Sequence, residues 1–169
     1  MKLRLYGEVN DSIVDGPGMR YGVFVQGCFH NCEGCHNPKS HDPNGGYLSD
    51  TDTVFEKLRK NPILDGVTFS GGEPFLQAKP LTELAVRAHG IGLDTLAYTG
   101  YLFEELLSGA NEENGWMEFL KNLDILVDGR FVLSLRSIDL QFCGSTNQRI
   151  IDVPKSLLEK EVVLWNPEI

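Results

Sequence analysis

The sequence predicts an α/β fold with a largely parallel sheet, and three observations carry that prediction. Short apolar runs rich in β-branched and aromatic residues recur at residues 21–26, 66–70, 93–97 and 124–127, the composition of buried strands. Each is followed at once by a loop in which glycine accompanies Cys, Glu, Thr, Asp or Arg, as when functional loops leave the C-terminal ends of parallel strands. Segments of helical period lie between them, most clearly at residues 79–89. With 169 residues, the chain is long enough to form one domain spanning residues 1–169, burying about 70% of its unfolded surface. It is shorter than the roughly 200 residues that a complete eightfold barrel needs.

Taken in order, residues 2–9 read as a short edge strand and Asp15-Gly16-Pro17-Gly18-Met19-Arg20 as a turn. The glycines of that turn have the look of a dinucleotide loop, but they precede a strand instead of opening a helix, so that reading fails. Strand 21–26 leads directly into a cysteine-rich loop. Residues 36–48, with Pro38, Pro43, Gly45 and Gly46, read as a long surface loop. A helix starts near Ser49 or Asp50, carries Val54, Phe55 and Leu58 on one face and stops before Pro62. Strand 66–70 ends in Gly71-Gly72-Glu73-Pro74, and helix 79–89 is closed by Gly90. Strand 93–97 ends in Tyr98-Thr99-Gly100-Tyr101 before a short helix at 103–107, and strand 124–127 ends in Asp128-Gly129-Arg130. Residues 138–142 alternate apolar and polar like a strand, lead into Gly144-Ser145-Thr146-Asn147-Gln148-Arg149, and residues 158–164 pack the tail.

Composition excludes several functions. Lys and Arg number 15 against 24 Asp and Glu, a formal charge of −9, and the basic residues form no stripe, which argues against a nucleic acid partner. No run of 18 apolar residues exists, so no membrane span is expected. The first eight residues lack the apolar stretch of an export signal, which points to a reduced, cytoplasmic setting.

Cys28, Cys32 and Cys35 are set as C-x3-C-x2-C directly after strand 21–26. On a helix these positions would fall within about a 60° arc, and in a loop Gly27 and Gly34 would let the backbone curl around a central object. Either way the sulfurs converge, and thiolates so close repel unless a cation shares their charge. Three cysteines cannot pair among themselves, so an iron–sulfur cluster, a zinc ion or a redox pair are the candidates. Zinc would need a fourth ligand from His30, His36, His41 or Cys143. A four-iron cluster on three thiolates would leave one iron open to a ligand. Cys143 otherwise reads as a small core residue.

Residues 27–37 resemble the cluster loop of radical S-adenosylmethionine (SAM) enzymes, particularly activators of glycyl radical enzymes, and residues 70–74 resemble the GGE motif of the same family. The resemblance implies a partial (open) βα barrel of five to six parallel strands, radical SAM type. It implies that Cys28, Cys32 and Cys35 hold a [4Fe-4S] cluster whose open iron takes SAM. Gly71 and Gly72 would bring backbone carbonyls to the methionine ammonium, followed by Pro74, with the Glu73 carboxylate complementing the charge. Thr99 would lie near the methionine, Arg130 would offer its guanidinium to the methionine carboxylate, and Asp128 would sit near the sulfonium. Gly34, which stands where many radical SAM enzymes carry an aromatic, and Asn37 complete the implied cofactor-binding set.

Val127-Asp128-Gly129-Arg130-Phe131, the 144–149 segment and Asn37 resemble the subgroup that activates anaerobic ribonucleoside-triphosphate reductase. By that resemblance a 5′-deoxyadenosyl radical takes hydrogen from a glycine of the reductase, residues 144–149 help choose this partner, and a low-potential donor such as a flavodoxin supplies the electron. Activation of another glycyl radical enzyme, a radical SAM reaction on a small purine-like molecule, and a non-enzymatic zinc or redox module are the alternatives.

Overall fold

A computed structural model describes residues 1–167 of the chain. Strands β1 (Lys2–Ser12), β2 (Arg20–Val25), β3 (Tyr47–Asp50), β4 (Gly66–Gly71), β5 (Asp94–Tyr98), β6 (Ile125–Asp128) and β7 (Arg149–Asp152) form a seven-stranded sheet in the order β3-β1-β2-β4-β5-β6-β7. Only β2, β4, β5 and β6 pair parallel with one another. β1, β3 and β7 pair antiparallel. The expected barrel of five to six parallel strands is therefore corrected to a mixed sheet with a four-stranded parallel centre and antiparallel flanks.

The period of two along the central strands sorts their side chains onto opposite faces. Val23, Val25, Val67, Phe69, Ala97 and Leu126 join the large core, over which α1 (Thr51–Arg59), α2 (Ala78–Gly90) and α4 (Trp116–Lys121) lie. Leu96, Ile125 and Val127 belong to a smaller cluster on the other face, joined by Tyr98, Cys143 and Ile150. That thinly covered face is where the strand-end loops gather. Helices α3 (Phe103–Gly109) and α5 (Val153–Glu159) complete the set.

Local chemistry explains the boundaries. Asp50 caps α1 by accepting from the Thr53 N–H at 2.8 Å. Gly90 lies inside α2; the reversal follows at Gly92, whose φ of +83° suits a residue without a Cβ. β1 is no edge: it is longer than residues 2–9 and lies between β3 and β2, because the supposed surface loop 36–48 ends by supplying β3. Residues 138–142 form no strand, and β7 is built from residues 149–152. In the tail, Leu158 and Leu164 are exposed while Val153 and Ser156 are buried, and the chain is held by Asp152 N–H to Val163 O at 2.8 Å and Trp165 N–H to Ile150 O at 2.9 Å. The turn at residues 15–20 is pinned by Arg20, fully buried, which meets Asp94 at 2.6 Å and donates to Thr68 Oγ1 and the Val67 carbonyl. No helix among the described residues is long and apolar enough to cross a membrane.

Candidate functional site

Because β2, β4, β5 and β6 are parallel, the loops that leave their C-terminal ends meet at one edge of the sheet. β2 delivers the cysteine loop, β4 the Gly71-Gly72-Glu73 turn, β5 Thr99 and Gly100, and β6 Asp128 and Gly129. The cysteine loop is irregular and not helical. It is curled by Gly27 (φ +108°), Asn31 (φ 56°) and Gly34 (φ +75°), with a turn closed by Cys35 N–H to Cys32 O at 3.2 Å. Its start is clamped from both sides: Gly27 N–H donates to Ser40 O at 2.7 Å, Cys28 N–H to His41 O at 3.0 Å, and Glu73 N–H to Gly27 O at 2.8 Å.

The three thiols are half-buried and line one cavity of about 140 Å³ with Gly71, Gly72, Thr99 and Gly100. An adjoining cavity of about 380 Å³ shares Cys32 and Cys35 and extends past Asn37, Tyr98, Phe131 and Cys143. Burial pushes the Cys28 thiol up, helped by the charge of Glu73 and of the other two cysteines and opposed by the backbone N–H of His30. A thiolate set so placed calls for a cation. Among the described residues, no three His, Cys, Asp or Glu side chains stand where they could grip one metal ion. Soft, half-buried thiols on one cavity are the donor type that both iron–sulfur clusters and zinc take.

Glu73 is only 1% exposed, and both carboxylate oxygens are engaged within the protein. Oε1 accepts from Phe75 N–H at 3.0 Å and Thr99 Oγ1 at 2.9 Å; Oε2 accepts from Gly100 N–H at 2.8 Å and lies 2.6 Å from His30 Nε2. Within the protein this carboxylate joins the cysteine loop to the turns after β4 and β5. Thr99 lines the smaller cavity, and its hydroxyl also accepts from Tyr101 N–H at 3.1 Å as part of the same network. Gly71 and Gly72 need no side chain for a reason internal to the fold. A Cβ on Gly71 would stand 2.5 Å from Val25 N, and one on Gly72 would run into the Gly27 carbonyl. Pro74 is buried at the start of a 3-10 turn (Pro74–Gln77).

Asp128 ends β6 and Arg130 lies in the loop that follows. Asp128, fully buried, is held by Arg149 (Nε at 3.1 Å from Oδ1) and accepts from Phe103 N–H at 2.8 Å through Oδ2. Arg130 is exposed and lines a cleft with Asn31 and Glu33 that shares His30, Cys32 and Phe131 with the thiol cavity. Gly34 packs against Leu133 and Phe131. Asn37 is half-buried and borders the larger cavity.

Residues 144–149 turn inward as well. Asn147 Nδ2 donates to Arg130 O at 2.8 Å, Gln148 Nε2 to Gly129 O at 2.9 Å, and Arg149 grips both Asp128 and Glu104. The segment braces the loop after β6. Cys143 packs on the smaller core cluster, as a core residue should. Sequence reasoning missed the parts played by His30 and Gly100. His30 stands between two cysteines, a signal that was visible, yet its partner Glu73 is 43 residues away; a Cβ on Gly100 would strike the His30 ring.

The model of the 4Fe-4S single cluster domain family matches residues 14–151. The chain is 35% identical over 144 residues to the anaerobic ribonucleoside-triphosphate reductase-activating protein of Enterobacteria phage T4, covering 81% of this chain and 86% of that one. Its namesake from Escherichia coli K12 is 33% identical over 145 residues, with 80% and 90% covered. The pyruvate formate-lyase-activating enzyme of Listeria monocytogenes is 32% identical over 163 residues, 90% of this chain but 62% of that enzyme. On the cysteine loop, the glycine turn and these matches, the chain belongs to the 4Fe-4S single cluster domain family, among the radical SAM activators of glycyl radical enzymes.

Proposed function

We propose that the chain uses a [4Fe-4S] cluster held by Cys28, Cys32 and Cys35, together with SAM, to install a glycyl radical on an anaerobic ribonucleoside-triphosphate reductase. The observation that carries this reading is the meeting of three half-buried thiols and the Gly71-Gly72 turn on one cavity at the C-terminal ends of parallel strands. The relatives named as activators of that reductase support the choice of partner.

Cluster and SAM, when bound, supply one-electron cleavage of a sulfonium S–C bond and hydrogen abstraction from a glycine Cα. The chain's own residues hold, orient and exclude. The turn after β4 is fixed by Gly72 N–H to Val25 O and Glu73 N–H to Gly27 O, both 2.8 Å, so its carbonyls would meet the methionine amino group without rearranging. Tyr98, Phe131 and Phe142 give the larger cavity apolar walls that keep water from the reacting atoms. Residues 1–169 would act as one radical SAM unit in an anaerobic cytoplasm, because exposed thiolate-held sites oxidise readily. A low-potential donor such as a flavodoxin would reduce it.

Anaerobic reconstitution tests the reading. The expected outcome is about four iron and four sulfide per chain. With a reductant, SAM and the reductase, a glycyl radical should be seen by electron paramagnetic resonance together with 5′-deoxyadenosine. Stoichiometric zinc without iron would overturn the reading. A radical on pyruvate formate-lyase but none on the reductase would overturn the choice of partner alone.

A further inference from the structure

Three histidines lie near the cysteine loop, and their rings have different partners. The His30 ring faces Glu73, and the His36 ring tilts against Phe131 with centroids 5.1 Å apart. His41 alone of the three has a ring nitrogen recorded on a cysteine sulfur: Nε2 lies 3.3 Å from Cys35 Sγ. The same residue's carbonyl accepts from Cys28 N–H at 3.0 Å, and its own N–H donates to Pro38 O at 3.3 Å. One residue therefore touches the first and third cysteines at once.

That residue is also firmly mounted. Ser40, fully buried, donates through Oγ to Asn37 O at 2.6 Å, and Gln26 Nε2 donates to Lys39 O at 2.9 Å and Asp42 O at 2.8 Å. The backbone on either side of His41 is thus tied to the end of β2 and cannot drift from the cysteines it spans. Each of these bonds is made by the chain alone.

We propose that His41 is a positioning residue for the cysteine loop: it sets the separation of Cys28 from Cys35 and donates Nε2–H to the Cys35 thiolate. This rests on the reading that the three cysteines hold a cluster. A hydrogen bond to a ligating sulfur withdraws electron density and favours the reduced, more negative state, and ligands oriented by such outer partners hold their metal more tightly. Glutamine can place an amide N–H where His41 has Nε2; leucine cannot.

The test reconstitutes wild type, His41→Gln and His41→Leu anaerobically, then compares iron content and midpoint potential without SAM or partner. In His41→Leu the ratio of reduced to oxidised protein at a fixed poise should fall roughly tenfold, a drop of about 59 mV for one electron, while His41→Gln stays near wild type. Should His41→Leu assemble no cluster, full iron in His41→Gln at the wild-type potential upholds the proposal. It is overturned if His41→Leu keeps the wild-type potential, or if His41→Gln shares the defect of His41→Leu. Wild type without an iron–sulfur chromophore would instead sink the reading on which the proposal rests.

Discussion

At the scale of single residues, the glycine turn shows how a ligand motif can owe its identity to packing. Any side chain on Gly72 meets the carbonyl of Gly27, one residue before Cys28, and Gly71 has a φ of +97° with Val25 backbone at 2.5 Å from its Cβ position. Gly72→Val should therefore disturb the cysteine loop itself. The expected result is a loss of about 1–3 kcal/mol of stability from overpacking and reduced iron loading; normal loading with only SAM affinity lost would mean that the glycine serves the ligand alone. Arg149 is likewise tied into the fold. Its removal leaves Asp128 buried without a cation, which costs about 3–5 kcal/mol when a buried pair is broken. Urea unfolding of Arg149→Ala should show that loss, with SAM cleavage and radical transfer falling together; a selective loss of transfer would restore a role at the partner surface.

At the scale of elements, Glu8 shows how the antiparallel flank is joined to its neighbours. From β1 its carboxylate accepts from Tyr21 on β2 at 2.8 Å, Tyr47 on β3 at 2.8 Å and Lys57 on α1 at 3.0 Å. Burial pushes the carboxyl up, but the hydrogen bonds from Lys57, Tyr21 and Tyr47 outweigh it and hold the group below 4.5; burial first and then Glu8 push Tyr47 up to about 12. A folded carboxyl held below its unfolded value stabilises above the unfolded pKa, and the contribution is lost as pH falls through the folded one. Glu8→Gln should thus cost about 1–3 kcal/mol at neutral pH, by a margin that stays level down to about pH 4.5 and closes below it; a margin that widens on acidification would refute the assignment. Lys57 is half exposed, so solvent screens part of its share.

The same flank marks what was legible in the sequence. β2, β4, β5 and β6 announce themselves because strands buried on both faces need continuous apolar runs, and the loops after them carry the cysteines and glycines. β3 reads as Tyr-Leu-Ser-Asp, with no alternation, and exists because β1 offers it an edge from Lys2 to Leu5. Residues 138–142 alternate in strand fashion yet find no partner, whereas Arg149–Asp152 pairs with β6. The availability of a neighbour, not the local pattern, decided both. The engaged carboxylates of Glu73 and Asp128 were hidden for a like reason, since a charged residue beside a motif cannot show in sequence that its partner lies in another loop.

At the scale of the whole molecule, the sheet is unequal on its two faces, and the inequality bears on how a protein could present a glycine to the site. One face is closed by α1, α2 and α4 over the large core; the other carries only a small cluster and opens beside the thiols. Val14, 73% exposed, lines that opening with the half-buried Leu140 and Phe142, and Ile13, Phe29 and Ile138 are further exposed apolar side chains in loops that line it. Aromatic and aliphatic groups left bare around a concave site favour a partner over water, whereas the opposite ends of the strands present Asp94, Asp124 and Asp152 beside a surface-reaching Lys155. If the proposed reductase delivers backbone to the cavity, contact must begin at the apolar rim. Hydrogen exchange on the complex should slow at residues 13–16, 29–34 and 133–142 and leave the α2 surface and the acidic end unchanged. Slowing confined to the acidic end would place the partner on the wrong side of the sheet for any hydrogen abstraction at the thiol-lined cavity, and the proposed activation would fail with it.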